Sequence, residues 1–208
     1  GLKILSESLP ERLPDEGVGS LHEKRVWAEI IGSSAGPKEL LETFRNSFSE
    51  FMPLEMHVEQ DGPRKLNEGE IISMKLPVRG NIQVRVEQIT DSSVALATLQ
   101  GHPIAGFVFF EFTDQTPAVR FQVRVISRSI NFFDFFAMKT IGRIMQNRTW
   151  ETVVERVVAA SGGEAPEGVK LEEVVIEDDE AARTEKDLEN IVLDRKRATR
   201  EAALQSTH

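Results

Sequence analysis

Two hydrophobic periods alternate along the chain. In "PKELLETFRNSFSEF" (37–51), Leu40, Leu41, Phe44, Phe48 and Phe51 recur at helical spacing behind a proline suited to a first helical position. "RVWAEII" (25–31) precedes it as a strand, joined by the loop "GSSAG". From 70 to 129 the period falls to two, giving "EIISMKL", "NIQVRVEQIT", "SSVALATLQ", "GFVFFEF" and "AVRFQVRVISRS" as five strands. The links "PVRG", "DS", "GHPIA" and "TDQTP" have short-turn chemistry, which predicts an antiparallel meander. The segment 131–161 has no proline and only Gly142, and predicts a long helix. Its stripe changes sides across "QNRT": Ala137, Met138, Ile141, Ile144 and Met145 lie on one side, and Trp150, Val153, Val154, Val157 and Val158 nearly opposite. Either the helix bends there, or its halves pack on different partners.

The pattern divides the chain into an N-terminal arm (1–22), a domain of one strand, a helix, a meander and a long helix (23–162), and a charged tail (163–208). The tail holds a short apolar run, "VKLEEVVI", and a helix at about 178–204, acidic at its start and basic at its end, in keeping with the helix dipole.

Tight turns allow cross-strand partners to be written down. They set Phe112 against Val119, Phe110 against Phe121 and Val108 against Val123, with Ala95 and Ala97 beside Phe110 and Val108, and Val84 and Val86 one strand further on. This inner face is wholly apolar. Its alanines either let a helix approach closely or leave a cavity. On the outer face Glu111 meets Arg120 and Phe107 meets Arg124, but Val94, Leu96, Phe107 and Phe109 form a patch too apolar to leave wet. The terminal segments or a second subunit are expected to cover it, so a homodimer through this face or the tail is one expectation.

The net charge of −9 sits mainly in the tail, where residues 164–208 carry 13 acidic and 7 basic groups. No basic stripe offsets it, so nucleic acid is not an expected partner. With no cysteine there is no thiolate metal site and no disulfide. No apolar run approaches the roughly 18 residues of a membrane span; a cytoplasmic location is the default expectation.

Strand, helix, meander and long C-terminal helix together resemble the helix-grip fold of the START-like superfamily, to which the birch-pollen allergen type belongs. The stretch "GHPIAGFVFFEFTD", with "VRFQVRVISRSINFFDFFAMKTIGRIMQNRTWETVVERV" after it, is similar to an uncharacterised branch of that superfamily marked by a Gly-His-Pro turn. The likeness spans about residues 25–160. It implies an α+β fold in which a curved sheet grips the long helix around an apolar cavity, a format used for lipids, sterols, polyketides and hormones. It carries over no catalytic residues.

Candidate liners of that cavity are Val84, Val86, Ala95, Ala97, Val108, Phe110, Phe121, Val123, Phe136 and Ile141, with Arg148 as a polar anchor on the sheet-facing side of the long helix. His102 is expected at the rim. It has no metal-ligand spacing to another His or carboxylate and no local orienting partner for acid–base work. The "GSSAG" loop lacks the lysine and glycine spacing of a nucleotide cradle, and no cofactor is expected. The expectation is non-catalytic binding of a small hydrophobic ligand, lipid-like or polyketide-like. An enzyme of cyclase or hydrolase type using the same cavity, and a structural protein with a filled core, are the alternatives.

Overall fold

A computed structural model describes residues 11, 18–53, 57–59, 65–76, 80–99, 104–129 and 147–207. Strand β1 (Val18–Ile30) runs into the loop at Gly32–Gly36, where the Ser33 hydroxyl donates to the Ala35 carbonyl at 2.7 Å. Helix α1 (Pro37–Asn46) follows, with Pro37 in its first turn and Leu40, Leu41 and Phe44 buried along one side. A single turn, α2 (Phe48–Phe51), extends the same apolar side with Phe48 and Phe51.

The period-two region forms β3 (Ile71–Leu76), β4 (Gly80–Ile89), β5 (Ser93–Thr98), β6 (Ile104–Gln115) and β7 (Ala118–Ser129). A short β2 (His57–Glu59) that the pattern does not signal pairs with β3. Helix α3 is described over Asn147–Ser161; the expected helical course before it lies outside the described residues. The tail gives β8 (Lys170–Ile176) and helix α4 (Asp178–Gln205).

All strands join one antiparallel sheet in the order β2-β3-β4-β5-β6-β7-β1-β8. The meander is thus closed by the first strand returning beside β7, and "VKLEEVVI" adds an edge strand instead of covering a face. Helices α1, α2 and α3 pack on one side of the sheet, and α4 packs on the other. The mutual bonds between the backbones of Ile31 and Glu164, both 2.8 Å, tie the end of β1 to the chain leaving α3.

The expected registers need three corrections. Between β6 and β7 the turn is the two residues Thr116 and Pro117, so Phe112 meets Phe121, Phe110 meets Val123 and Val108 meets Val125. A shift of two leaves every side chain on its expected face. Between β4 and β5 the expected pairing holds beside the turn, Ile89 with Val94, but a bulge between Val86 and Gln88 displaces the rest by one. Beyond it Val86 meets Leu96, and between β5 and β6 the register is one residue off as well, with Val94 against Phe110 and Leu96 against Val108 where Ala95 and Ala97 were expected. A shift of one reverses the faces of β5: Val94 and Leu96 belong to the inner core, and Ala95 and Ala97 to the outer cluster.

Candidate functional site

The inner face is a wall of branched and aromatic side chains: Val84 and Val86 from β4, Val94 and Leu96 from β5, Phe110 and Phe112 from β6, Phe121 and Val123 from β7. One end is plugged. Phe44 on α1 stacks within 4.9 Å of Phe110 and 5.9 Å of Phe121, Phe48 meets Phe110 edge-on at 5.8 Å, and Trp150 on α3 reaches Phe110 at 6.4 Å. Phe112 and Phe121 close the plug at 4.7 Å. Away from these rings the wall continues through Val84, Leu96, Val108 and Val125, with Val108 the half-buried member. Phe136, Ile141 and His102 lie outside the described residues.

Of the expected liners, Val84, Val86, Val108, Phe110, Phe121 and Val123 come together on this wall. Ala95 and Ala97 do not, for the register reason given above. Arg148 is also misplaced by the sequence reading: its side chain is 71% exposed and pairs with Glu155 at 3.4 Å on its own helix. Trp150, Val153, Val154 and Val157 are the residues that α3 buries against the sheet, so a residue on the opposite side of the helix faces water. The half of the stripe that follows "QNRT" therefore packs on this sheet and not on a neighbour.

The outer face carries a second constellation. Ala95, Ala97, Phe107, Phe109, Leu21 and Ile126 form a patch on which α4 lays Ala181, Leu188 and Val192. The small alanines let a helix approach closely, though on the side opposite to the one expected. This cover comes from the same chain, so Phe107 and Phe109 are buried and present no surface to a second subunit. Beside them Arg124 lies over the Phe109 ring at 4.2 Å and bonds Glu111 at 3.2 Å. The expected cation–aromatic contact is displaced by the two-residue register shift to Phe109 and Arg124, whereas the expected Glu111–Arg120 pair is not formed: Arg120 pairs with Glu29, and Glu111 with the diagonal Arg124.

At one margin of the patch sits a buried charge cluster. Arg195 on α4 donates its Nε to Glu87 Oε2 at 2.6 Å and a terminal nitrogen to Glu11 Oε1 at 2.9 Å. Arg85 on β4 also donates to Glu11, and Lys196 stands 3.6 Å from it. Glu11, Arg85 and Glu87 are all buried. Burial pushes Glu87 up to about 8, with the neighbouring Glu11 carboxylate adding to the shift and Arg195 opposing it. Burial also acts to raise Glu11, but its hydrogen bonds, with Glu87 and Arg85 among the partners, outweigh it and hold Glu11 down to about 2. Further along α4, Arg128 pairs with Glu185 at 2.8 Å. The sequence shows Arg85 and Glu87 only as polar positions of an alternating strand. Their burial depends on a helix more than ninety residues away, for which no local signal exists.

A seven-strand meander closed by its first strand, in the order β2 to β7 then β1, around two short helices and a C-terminal helix, defines an α+β helix-grip protein; β8 and α4 are additions to it. No protein-family model matches the chain, and a search of curated proteins finds no match. Among solved structures it is similar to Ms6760 from Mycobacterium smegmatis, with 10% identity over 66% of this chain and 89% of that one at a TM-score of 0.44. It is also similar to Ara h 8.0201, with 9% identity over 67% and 99% at 0.40. A third is the di-domain ARO/CYC StfQ of the steffimycin biosynthetic pathway, with 11% identity over 71% and 51% at 0.45. Among the described residues no helix is long and apolar enough to cross a membrane.

Proposed function

We propose that the protein binds a small hydrophobic ligand, lipid-like or polyketide-like, against the inner sheet face without catalysing a reaction on it. The observation that carries this reading is chemical segregation. The described sheet residues of the inner wall are apolar and the only buried polar groups described on α3 are the hydroxyls of Thr149 and Ser161, whereas the buried Glu11, Arg85 and Glu87 meet Arg195 of α4 on the other side of the sheet. A wall whose described sheet residues carry no acid or base suits recognition by area alone: removing about 300 Å² of apolar ligand surface from water contributes roughly 7 kcal/mol before the costs of association. It does not suit proton transfer or nucleophilic attack, which need a positioned polar group. The aromatic plug around Phe44 favours a second reading, in which side chains fill the whole inner space and the protein works through its surface.

Incubation with a mixture of fatty acids, phospholipids and aromatic polyketides, followed by native mass spectrometry, separates the two. Retention of a ligand by the wild type, and its loss in Val108→Trp with an unchanged circular dichroism spectrum, is the expected result. Repeated recovery of the bare protein overturns it and leaves the filled core.

A further inference from the structure

The outer layer is held in a way that the ligand-binding reading does not use. Helix α4 leaves β8 through Glu177 alone and runs from Ala181, near the hinge, to Arg195, about 20 Å away at the helical rise. At that far point it meets two acids instead of apolar residues. Arg195 bridges Glu87 on β4 and Glu11 on the N-terminal segment, so one side chain fastens three parts of the chain. The Glu87 side chain is fully buried; its Oε2 accepts from Arg195, while among the described residues no N–H or hydroxyl group donates to its Oε1, and the neighbouring acid is Glu11. Glu87 stands at the β4 bulge, where one residue of the strand is left without an opposite number and its side chain is re-aimed.

We propose that α4 is a proton-controlled latch over the outer sheet face, with Glu87 as the sensing group and Arg195 as the fastening. A protonated Glu87 can donate its proton to the adjacent Glu11 carboxylate; a deprotonated Glu87 instead buries a charged oxygen with no donor beside a second carboxylate. Among the described residues the charged groups around Glu87 are Glu11 from the N-terminal segment, Arg85 from its own strand and Arg195 from α4, with Lys196 reaching Glu11; Ala95 and Ala97 of the neighbouring β5 are apolar. Glu11 is paired with Arg85 and shares Arg195 with Glu87, so a deprotonated Glu87 sets a second carboxylate against Glu11 at the same guanidinium. Opening the helix admits water and relieves the repulsion. The docked state therefore holds a proton that the open state releases, in keeping with the upward shift of Glu87, and rising pH weakens docking. Opening uncovers Ala95, Ala97, Phe107 and Phe109, an apolar patch.

Hydrogen exchange of the full-length protein, corrected for the intrinsic pH dependence of exchange, tests this. Between about pH 6.5 and about pH 9, amides of residues 185–199 in the wild type lose roughly tenfold or more of their protection, while those of α1 and β6 keep theirs. In Glu87→Gln, which fixes the neutral form, protection of the same amides stays constant with pH. A wild type without pH dependence, or a Glu87→Gln protein that follows the wild type, overturns the proposal. If Glu87→Gln does not fold, Arg195→Gln decides: loss of tail protection at every pH over an intact sheet supports the latch, and a tail that stays protected refutes it.

Discussion

Single residues show where this fold tolerates no change. Phe44 is the hub of the plug, in ring contact with Phe48, Phe51, Phe110, Phe112 and Phe121. Phe44→Ala removes a fully buried ring among neighbours of which three, Phe110, Phe112 and Phe121, are fixed in the sheet and cannot collapse into the space. It is expected to lower stability by about 3–5 kcal/mol, measured by urea denaturation. Gly106 sets a different limit. A methyl group there would lie 2.3 Å from the Ile126 carbonyl oxygen on the paired strand, and the Thr98 hydroxyl brackets the glycine by accepting from its N–H at 3.0 Å and donating to its C=O at 3.2 Å. Gly106→Ala must push β6 off β7, and a loss of about 2 kcal/mol or more is expected in the same assay. The helical spacing of Leu40, Leu41 and Phe44 made the first residue legible from sequence. Nothing local marks the second, because the oxygen that forbids a side chain belongs to another strand.

At the scale of elements, α4 supplies what the outer face needs. Leu188 and Val192 sit on Phe107, Phe109 and the two alanines, and without them the patch would face water. Leu188→Asp sets an unpaired carboxylate against this patch, so α4 should detach while the inner core stays folded. Limited proteolysis is expected to cut the tail at least about tenfold faster, with binding of an apolar dye at the uncovered rings. A tail as resistant as the wild type's would mean that the apolar contacts do not hold it. Strand and helix existence was legible because period and turn chemistry agree over β3 to β7 and over α1 and α4. The faces of β5 were not, because register propagates from a turn only as far as the first irregularity. One extra residue at Glu87, together with a one-residue offset between β5 and β6, carried Val94 and Leu96 inward and Ala95 and Ala97 outward. That reversal also removed the small-residue argument for a cavity, while the wall of Val84, Val108, Phe110, Phe121 and Val123 survived because the β6–β7 error was an even number of residues.

In the whole molecule a single sheet separates two layers of different chemistry, and the charged one makes stability depend on pH in two opposite ways. Glu11 is held at about 2 in the folded state against an ordinary 4.5, so its contribution is present above about pH 4.5 and is lost as pH falls toward 2. Glu87 is raised to about 8, so its contribution is complete below about pH 4.5 and drains away as pH rises toward 8. The exposed carboxylates Glu42 and Glu167 are lowered by their lysine partners Lys65 and Lys170 and side with Glu11, weakly because water screens them. The two buried acids overlap near pH 5, and the melting temperature should peak there instead of at neutral pH. In Glu87→Gln the alkaline decline should flatten while the acid limb remains, since Glu11 keeps Arg85 and Arg195. A melting profile that is flat from about pH 5 to about pH 8 in the wild type would show that Glu87 keeps its charge on folding as an ordinary ion-pair partner of Arg195.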